Sequence, residues 1–183
     1  MTEKKRIGVD LGGTKIEVAV LVGDSDIVWR ERTPTPSGDY QGTLHAIRSL
    51  VERAITENHL SADIPVGIGT PGSQSPRTGL MRGCNSTVLN EMPLLHDLRE
   101  EMARPVRMAN DADCFALSEA CAGVGRGADS VFGVILGTGV GGGVVIRQQL
   151  LSGPNNNAGE WGHNVMPGNS VEGRVVRHCF CGR

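Results

Sequence analysis

The stretch VILGTGVGGGVVI, Val134 to Ile146, decides how the chain is read. Gly137, Gly139 and Gly142 stand in the spacing G-x-G-x-x-G, the dinucleotide fingerprint. That fingerprint has meaning only after a strand and at the start of a helix, because the pyrophosphate sits on the helix N-terminus. The strand is present, in VFGVIL. The helix is not: after Gly143 come VVIRQQLL, β-branched at first and without an apolar stripe at helical spacing. The glycine run therefore reads as a hairpin turn between two strands, and a dinucleotide domain is excluded on context, although Glu160 lies near the expected acidic offset. A Walker A loop is excluded too, since G-x-x-x-x-G-K-[ST] is absent.

A glycine and threonine hairpin still holds phosphate through its backbone N–H groups. The chain has a second one. IGVDLGGTKIEVAV (Ile7 to Val20) and FGVILGTGVGGGVVI (Phe132 to Ile146) are each an apolar strand, a Gly/Thr turn and another apolar strand. The echo predicts a duplicated architecture. Two such turns across a cleft would grip the β- and γ-phosphates of a nucleotide. The first adds Thr14 and Lys15, and Asp10 just before it is placed to hold a metal ion through water.

Between the two hairpins the pattern is α/β. DIVWRERT is a third strand, closed by Pro34 and Pro36. From Tyr40 to His59, Leu44, Ile47, Val51, Ala54 and Ile55 recur at helical spacing. PVGIGTPG is a short buried strand, and Ser73 to Met92 is loop-rich. Leu94 to Met102 is a short helix, PVRMAN a strand and Asp111 to Ala122 a helix. AGVGRGADS is a linker. Asp111, between strand and helix, suits an N-cap or, as a carboxylate that accepts a hydroxyl proton, a catalytic base. Glu160 and His163 are spaced i, i+3, but Gly159 and Gly162 argue for a loop.

Composition narrows the class. The chain has 183 residues and 39% apolar content, which suits a packed globule. Net charge of −2 and an aromatic share of 3% argue against a nucleic-acid partner. The N-terminus lacks a signal-peptide core, and no window is apolar enough to span a bilayer, so a cytoplasmic protein without a membrane partner is expected. The five cysteines are then reduced, with Cys84, Cys114 and Cys121 expected as small buried hydrophobes.

DLGGTK, GIGTPG, NST at Asn85, NDADCFALSEA, GTGVGGG, GEWGH and the terminal CFCG together resemble the ROK sugar kinases, within the actin, hexokinase and heat-shock ATPase superfamily. The resemblance runs through the chain and is closest to the bacterial fructokinase and mannokinase branch. It implies an actin-like, ribonuclease H-like ATPase fold: a complete first domain at 1–122 and the start of a second at 123–183. It implies ATP-dependent phosphorylation of a hexose, D-fructose to fructose 6-phosphate first, with mannose and glucose as alternatives. ATP, Mg2+ and a structural Zn2+ are the implied cofactors, and a homodimer the implied assembly.

Residue by residue, Gly12, Gly13, Thr14 and Lys15 match the first phosphate motif, and Gly137, Thr138 and Gly139 the second. Asp111 matches the catalytic base. Gly72, Asn85, Asn110, Asp111, Glu160 and His163 match sugar contacts. His163, Cys179 and Cys181 match zinc ligands. The family pattern continues C-x-C-G-x-x-G-C-x-E, whereas the sequence stops at CFCGR. The expectation is a chain cut inside the zinc motif, with an incomplete metal site and no kinase activity by itself. The competing classes are a sugar-responsive transcriptional regulator, which needs a DNA-binding segment ahead of a strand starting near Arg6, and a non-catalytic sugar-binding fragment.

Overall fold

The computed structural model describes residues 4–23, 25–137, 139–162 and 164. The chain starts as an antiparallel meander: β1 (Lys5–Leu11), β2 (Lys15–Val22) and β3 (Asp26–Pro34). Alternation fixes its buried face. Ile7, Val9 and Leu11 on β1 and Ile16, Val18 and Val20 on β2 all point into the core. Helix α1 (Tyr40–Glu57) covers that face with Leu44, Ile47, Val51 and Ala54, the stripe the sequence spacing predicts. Asp39 starts it, its carboxylate accepting from Gly42 N at 2.8 Å.

Two parallel strands then extend the sheet beside β1: β4 (Val66–Thr70) and β7 (Val106–Asn110). The sheet order is β3-β2-β1-β4-β7. Between β4 and β7 lie the hairpin β5 (Ser73–Gln74) and β6 (Met81–Arg82), a 3-10 turn at Thr87–Leu89, and helix α2 (Leu94–Met102). The loop-rich reading of Ser73 to Met92 is thus correct except for these short elements, too brief to show a period. Helix α2 occupies the span its pattern predicts and buries Leu94, Leu98 and Met102.

Helix α3 (Asp111–Cys121) follows β7 directly. It packs chiefly on a second meander, β8 (Ser130–Leu136), β9 (Val140–Ile146) and β10 (Gln149–Leu150), in sheet order β10-β9-β8. An antiparallel meander thus occurs twice along the chain, the second ending in a two-residue strand.

Three expectations need correction. First, Gly141, Gly142 and Gly143 are not turn residues; they lie inside β9, and the turn is confined to residues 137–139. The cause is packing. A Cβ on Gly143 would stand 2.8 Å from Ala112 O and 2.9 Å from both Ala116 Cβ and Asp113 Cα, so glycine lets α3 dock on the strand. Second, VVIRQQLL is not one strand. Arg147 and Gln148 take positive φ values of 49° and 61° and turn the chain into β10. Third, Cys84 is buried but Cys114 and Cys121 are exposed. The stripe of α3 that faces β8 and β9 is made of Ala112, Ala116 and Ala120, spaced by four, and both thiols fall off it.

On the sheet face opposite α3, β8 presents Phe132, Val134 and Leu136, with Phe132 53% and Leu136 72% exposed. No helix of the described residues is long and apolar enough to cross a membrane.

Candidate active site

The parallel strands β1, β4 and β7 end at one edge of the first sheet. Asp10 pairs in register with Gly69, and Thr70 with Asn110. Residues far apart in sequence, Asp10, Gly72 and Asp111, are thereby delivered to the same edge. Ligands of open parallel sheets bind at this carboxyl end.

The first turn follows Asp10. Gly12 N donates to Lys15 O at 2.9 Å. Thr35, just past β3, braces the turn twice: its hydroxyl donates to Gly12 O at 2.8 Å and its N–H to Thr14 O at 3.1 Å. Gly13 lies against the NST segment, where an added Cβ would be 3.2 Å from Ser86 Oγ. Gly13 and Asn85 line one cavity of about 200 Å3 with Thr35 and Ser37. The first phosphate motif and the candidate sugar residue Asn85 are therefore neighbours.

Gly72 has φ of +70°, and a Cβ there would meet Arg82 O and stand 2.9 Å from Cys84 N, so only glycine fits. The turn is clamped from both sides. Asn110 Nδ2 donates to Gly72 O at 3.0 Å, and the Cys84 thiol donates to Pro71 O at 3.1 Å. Burial pushes the Cys84 thiol up to about 11, so it stays protonated as a donor. Asn90 holds the same loop, accepting from Cys84 N at 2.9 Å and donating to Cys84 O at 3.0 Å.

Helix α3 begins beside this turn. Its cap is Asn110, not Asp111: Asn110 Oδ1 accepts from Ala112 N at 2.8 Å and Asp113 N at 3.3 Å. Asp111 is the first helical residue, exposed, with one oxygen on Ala112 N at 2.8 Å. Asn110, its neighbour, satisfies the helix end, so Asp111 is not needed as the cap. Asp10 is held above the usual carboxylate range, first by partial burial, then by the charges of Asp111 and Glu17, against Lys15. Asp10 and Asp111 thus share one field.

The second turn lies at the same end of α3, since Gly141 packs against Ala112, with an added Cβ 3.2 Å from Ala112 Cβ. Gly137 N donates to Gly139 O at 2.9 Å, and a Cβ added at either glycine would meet no described atom within 4 Å. The turn's backbone is open to a ligand. Glu160 sits in a loop, as its flanking glycines suggest. Gly159, with φ of +95°, anchors that loop on β9, where a Cβ would be 2.9 Å from Gly142 O. The loop brings Glu160 to α3.

Among the described residues no group of three or more His, Cys, Asp or Glu side chains is arranged to hold a metal. Thr138, His163, Cys179 and Cys181 lie outside the described residues.

Sequence reasoning missed Asp113. It is only 6% exposed, and its carboxyl is pushed up to about 6, first by burial, then by the charges of Glu160 and Asp111. The signal was an acidic residue beside the alanine stripe of α3. A carboxyl raised in the folded state from 3.8 to about 6 favours folding below pH 3.8, and that contribution is lost as pH rises through 6. Asp113→Asn should therefore be more stable than the parent at pH 7.5, on the order of 2–3 kcal/mol, and about equal at pH 4. Urea unfolding at the two pH values checks this; a variant less stable than the parent at pH 7.5 contradicts it.

Comparison with known proteins agrees with this geometry. The ROK family model matches residues 6–183. The N-acetyl-D-glucosamine kinase of Yersinia pseudotuberculosis is 40% identical over 177 residues, covering 96% of this chain and 58% of that protein. The enzyme of the same name from Haemophilus influenzae is 44% identical over 180 residues, covering 96% and 59%. The chain thus spans under two thirds of the length of these relatives. Among solved structures, the ROK hexokinase of Thermus thermophilus superposes with a TM-score of 0.78 at 32% identity, covering 98% of this chain and 56% of that one. The ROK glucokinase of Streptomyces griseus, in complex with glucose and AMPPNP, gives 0.74 at 31% identity, covering 87% and 50%. The fold is the actin-like ATPase fold, and the chain belongs to the ROK family.

Proposed function

We propose that the protein transfers the γ-phosphoryl group of ATP to a hydroxyl of a hexose, with Asp111 as the base. The observation that carries this is the position of Asp111, exposed at the N-terminus of α3, where the ends of β1, β4 and β7 and the second glycine turn converge. The glycines at 137 and 139, where an added Cβ meets no described atom within 4 Å, and Gly13 in the first turn suit phosphate oxygens, which backbone N–H groups bind at close range. Asp10 is placed to take a hydrated Mg2+, which when bound to ATP would neutralise phosphate charge. In this reading Gly72, Asn85, Asn110 and Glu160 are the hydrogen-bond partners of the sugar, a ligand that requires several fixed ones. Asp111 orients the attacking hydroxyl and takes its proton late, because a carboxylate is a weak base.

The motifs favour D-fructose at its 6-hydroxyl. The relatives named N-acetyl-D-glucosamine kinase favour a second reading, an N-acetylated glucose. A division into domains at residue 122 rests on the family resemblance, with the five-stranded sheet before it and the three-stranded sheet after it. A structural zinc on His163, Cys179 and Cys181, a homodimer and a cytoplasmic location rest on the family resemblance and the sequence.

Gly139→Val tests the nucleotide site. An added Cβ there meets no described atom within 4 Å, so the fold should be little affected while Mg-ATP binding weakens about tenfold or more. Calorimetry reads it directly. Tight NADH binding with no ATP binding would overturn the assignment.

A further inference from the structure

The loop between β6 and α2 is tied by one side chain. Asn90 follows the 3-10 turn Thr87–Leu89, and both ends of its amide are spent on Cys84, six residues earlier. Its Oδ1 accepts from Cys84 N at 2.9 Å and its Nδ2 donates to Cys84 O at 3.0 Å. The pair copies one rung of an antiparallel ladder, with a side chain in place of a second strand. Cys84 is itself fully buried, and its thiol is anchored on Pro71 O at 3.1 Å. The base of the loop is closed by main chain as well, Glu91 N donating to Met81 O at 2.8 Å and Met81 N to Met92 O at 3.0 Å.

The residue this clamp holds is Asn85. The outer part of the loop has its own anchor, since Leu89 is buried in the core and its N–H donates to Ser86 O at 3.0 Å. Asn85 has no such anchor. It is exposed, and it sits between that turn and Cys84. Its side chain folds back on the chain, Oδ1 accepting from Ser86 N at 2.8 Å. That contact fixes the direction of the amide and leaves Nδ2 with no partner among the described residues. Asn85 thus brings an unspent donor to the cavity of about 200 Å3 that it lines with Gly13. A donor already held in place gives up little freedom when a ligand arrives, whereas one on a loose loop gives up more.

We propose that Asn90 is a positioning residue for the sugar: by clamping Cys84 it sets where Asn85 presents its Nδ2 donor, and it does not touch the ligand itself. The inference deepens the hexose kinase reading and rests on it. The first phosphate turn is braced separately, by the Thr35 hydroxyl on Gly12 O at 2.8 Å, so the effect is confined to the sugar.

Calorimetry with D-fructose, N-acetylglucosamine and Mg-ATP tests it on the parent, Asn85→Ala, Asn90→Ala and the double variant. Asn90→Ala should weaken binding of the hexose about tenfold, the size of one well-placed hydrogen bond, and change Mg-ATP affinity less than about twofold. Added to Asn85→Ala it should weaken the hexose no further, because the residue it positions is gone. A merely structural role gives losses that add and that reach both ligands. In the parent, NMR should show the side-chain amide of Asn85 shifting as hexose is added while that of Asn90, spent on Cys84, stays in place. These spectra decide the matter where Asn90→Ala fails to fold. Parental hexose affinity in Asn85→Ala or in folded Asn90→Ala, losses that add in the double variant, a parallel loss of Mg-ATP, or an Asn90 amide shift as large as that of Asn85 would overturn the inference and leave the hexose reading intact. Binding of neither hexose by the parent would overturn both.

Discussion

In a catalytically active form of the protein, Asp111→Asn should lower kcat for phosphoryl transfer by about 10²–10⁴-fold, with a far smaller change in sugar affinity. The substitution is a clean one. Helix α3 is capped by Asn110, so the cap survives, and an asparagine oxygen at 111 can still accept from Ala112 N as the aspartate does at 2.8 Å. What is lost is the ability to take a proton from the sugar hydroxyl. The loss of one negative charge beside Asp10 also lowers the proton affinity of Asp10, because Asp111 helps to raise it. The measurement is steady-state kinetics with Mg-ATP and a hexose, paired with sugar binding by calorimetry. A kcat close to the parental value would remove Asp111 from the base role.

Gly143→Val should undo the docking of α3 on β9. The added Cβ would press on Ala112 O and Asp113 Cα, both main-chain atoms of the helix that cannot swing aside. Forced overpacking of this kind costs on the order of 3 kcal/mol, which lowers Tm by roughly 6–12 °C in a chain of this size. Hydrogen exchange should rise in α3 and in β8 to β10 and stay low in β1 to β3, whose core does not include the contact. An unchanged Tm would show that the helix can shift freely on the strand. Gly139→Val is the internal control, since an added Cβ there meets no described atom within 4 Å.

Much of this arrangement is legible in the sequence because the side-chain periods are strong. The alternation on β1 and β2, the stripe on α1 and the span of α2 follow from where apolar residues recur. The glycine run misleads for a physical reason. A turn and a close helix–strand contact both require glycine, and glycine carries no side chain from which to read a period. So Gly141 to Gly143 look like a turn when they are strand. Asn110 and Asp111 are both good capping residues, and the choice between them depends on where β7 ends, which is set by its register with β4. Asp113 was invisible for another reason. The charge of Glu160 that helps to raise its pKa, and the Leu150, Ser152 and Asn156 that line a cavity with it, arrive from far along the chain.

The position of α3 has a consequence for the order in which the molecule assembles. The β1–β2–β3 meander is built from local pairings, which close quickly, whereas β4 must return to β1 across α1. By the end of β7 the five-stranded sheet has every strand it needs. Helix α3 comes next, but the groove for its alanine stripe is supplied by β8 and β9, which lie later in the chain. During synthesis, then, the first sheet can close while the helix that carries Asp111 still lacks its bed. The end of the protein that carries the proposed base is among the last parts to set, and an early-folded amino-terminal half holds the proposed phosphate turn Gly12–Thr14 in place before Asp111 is fixed.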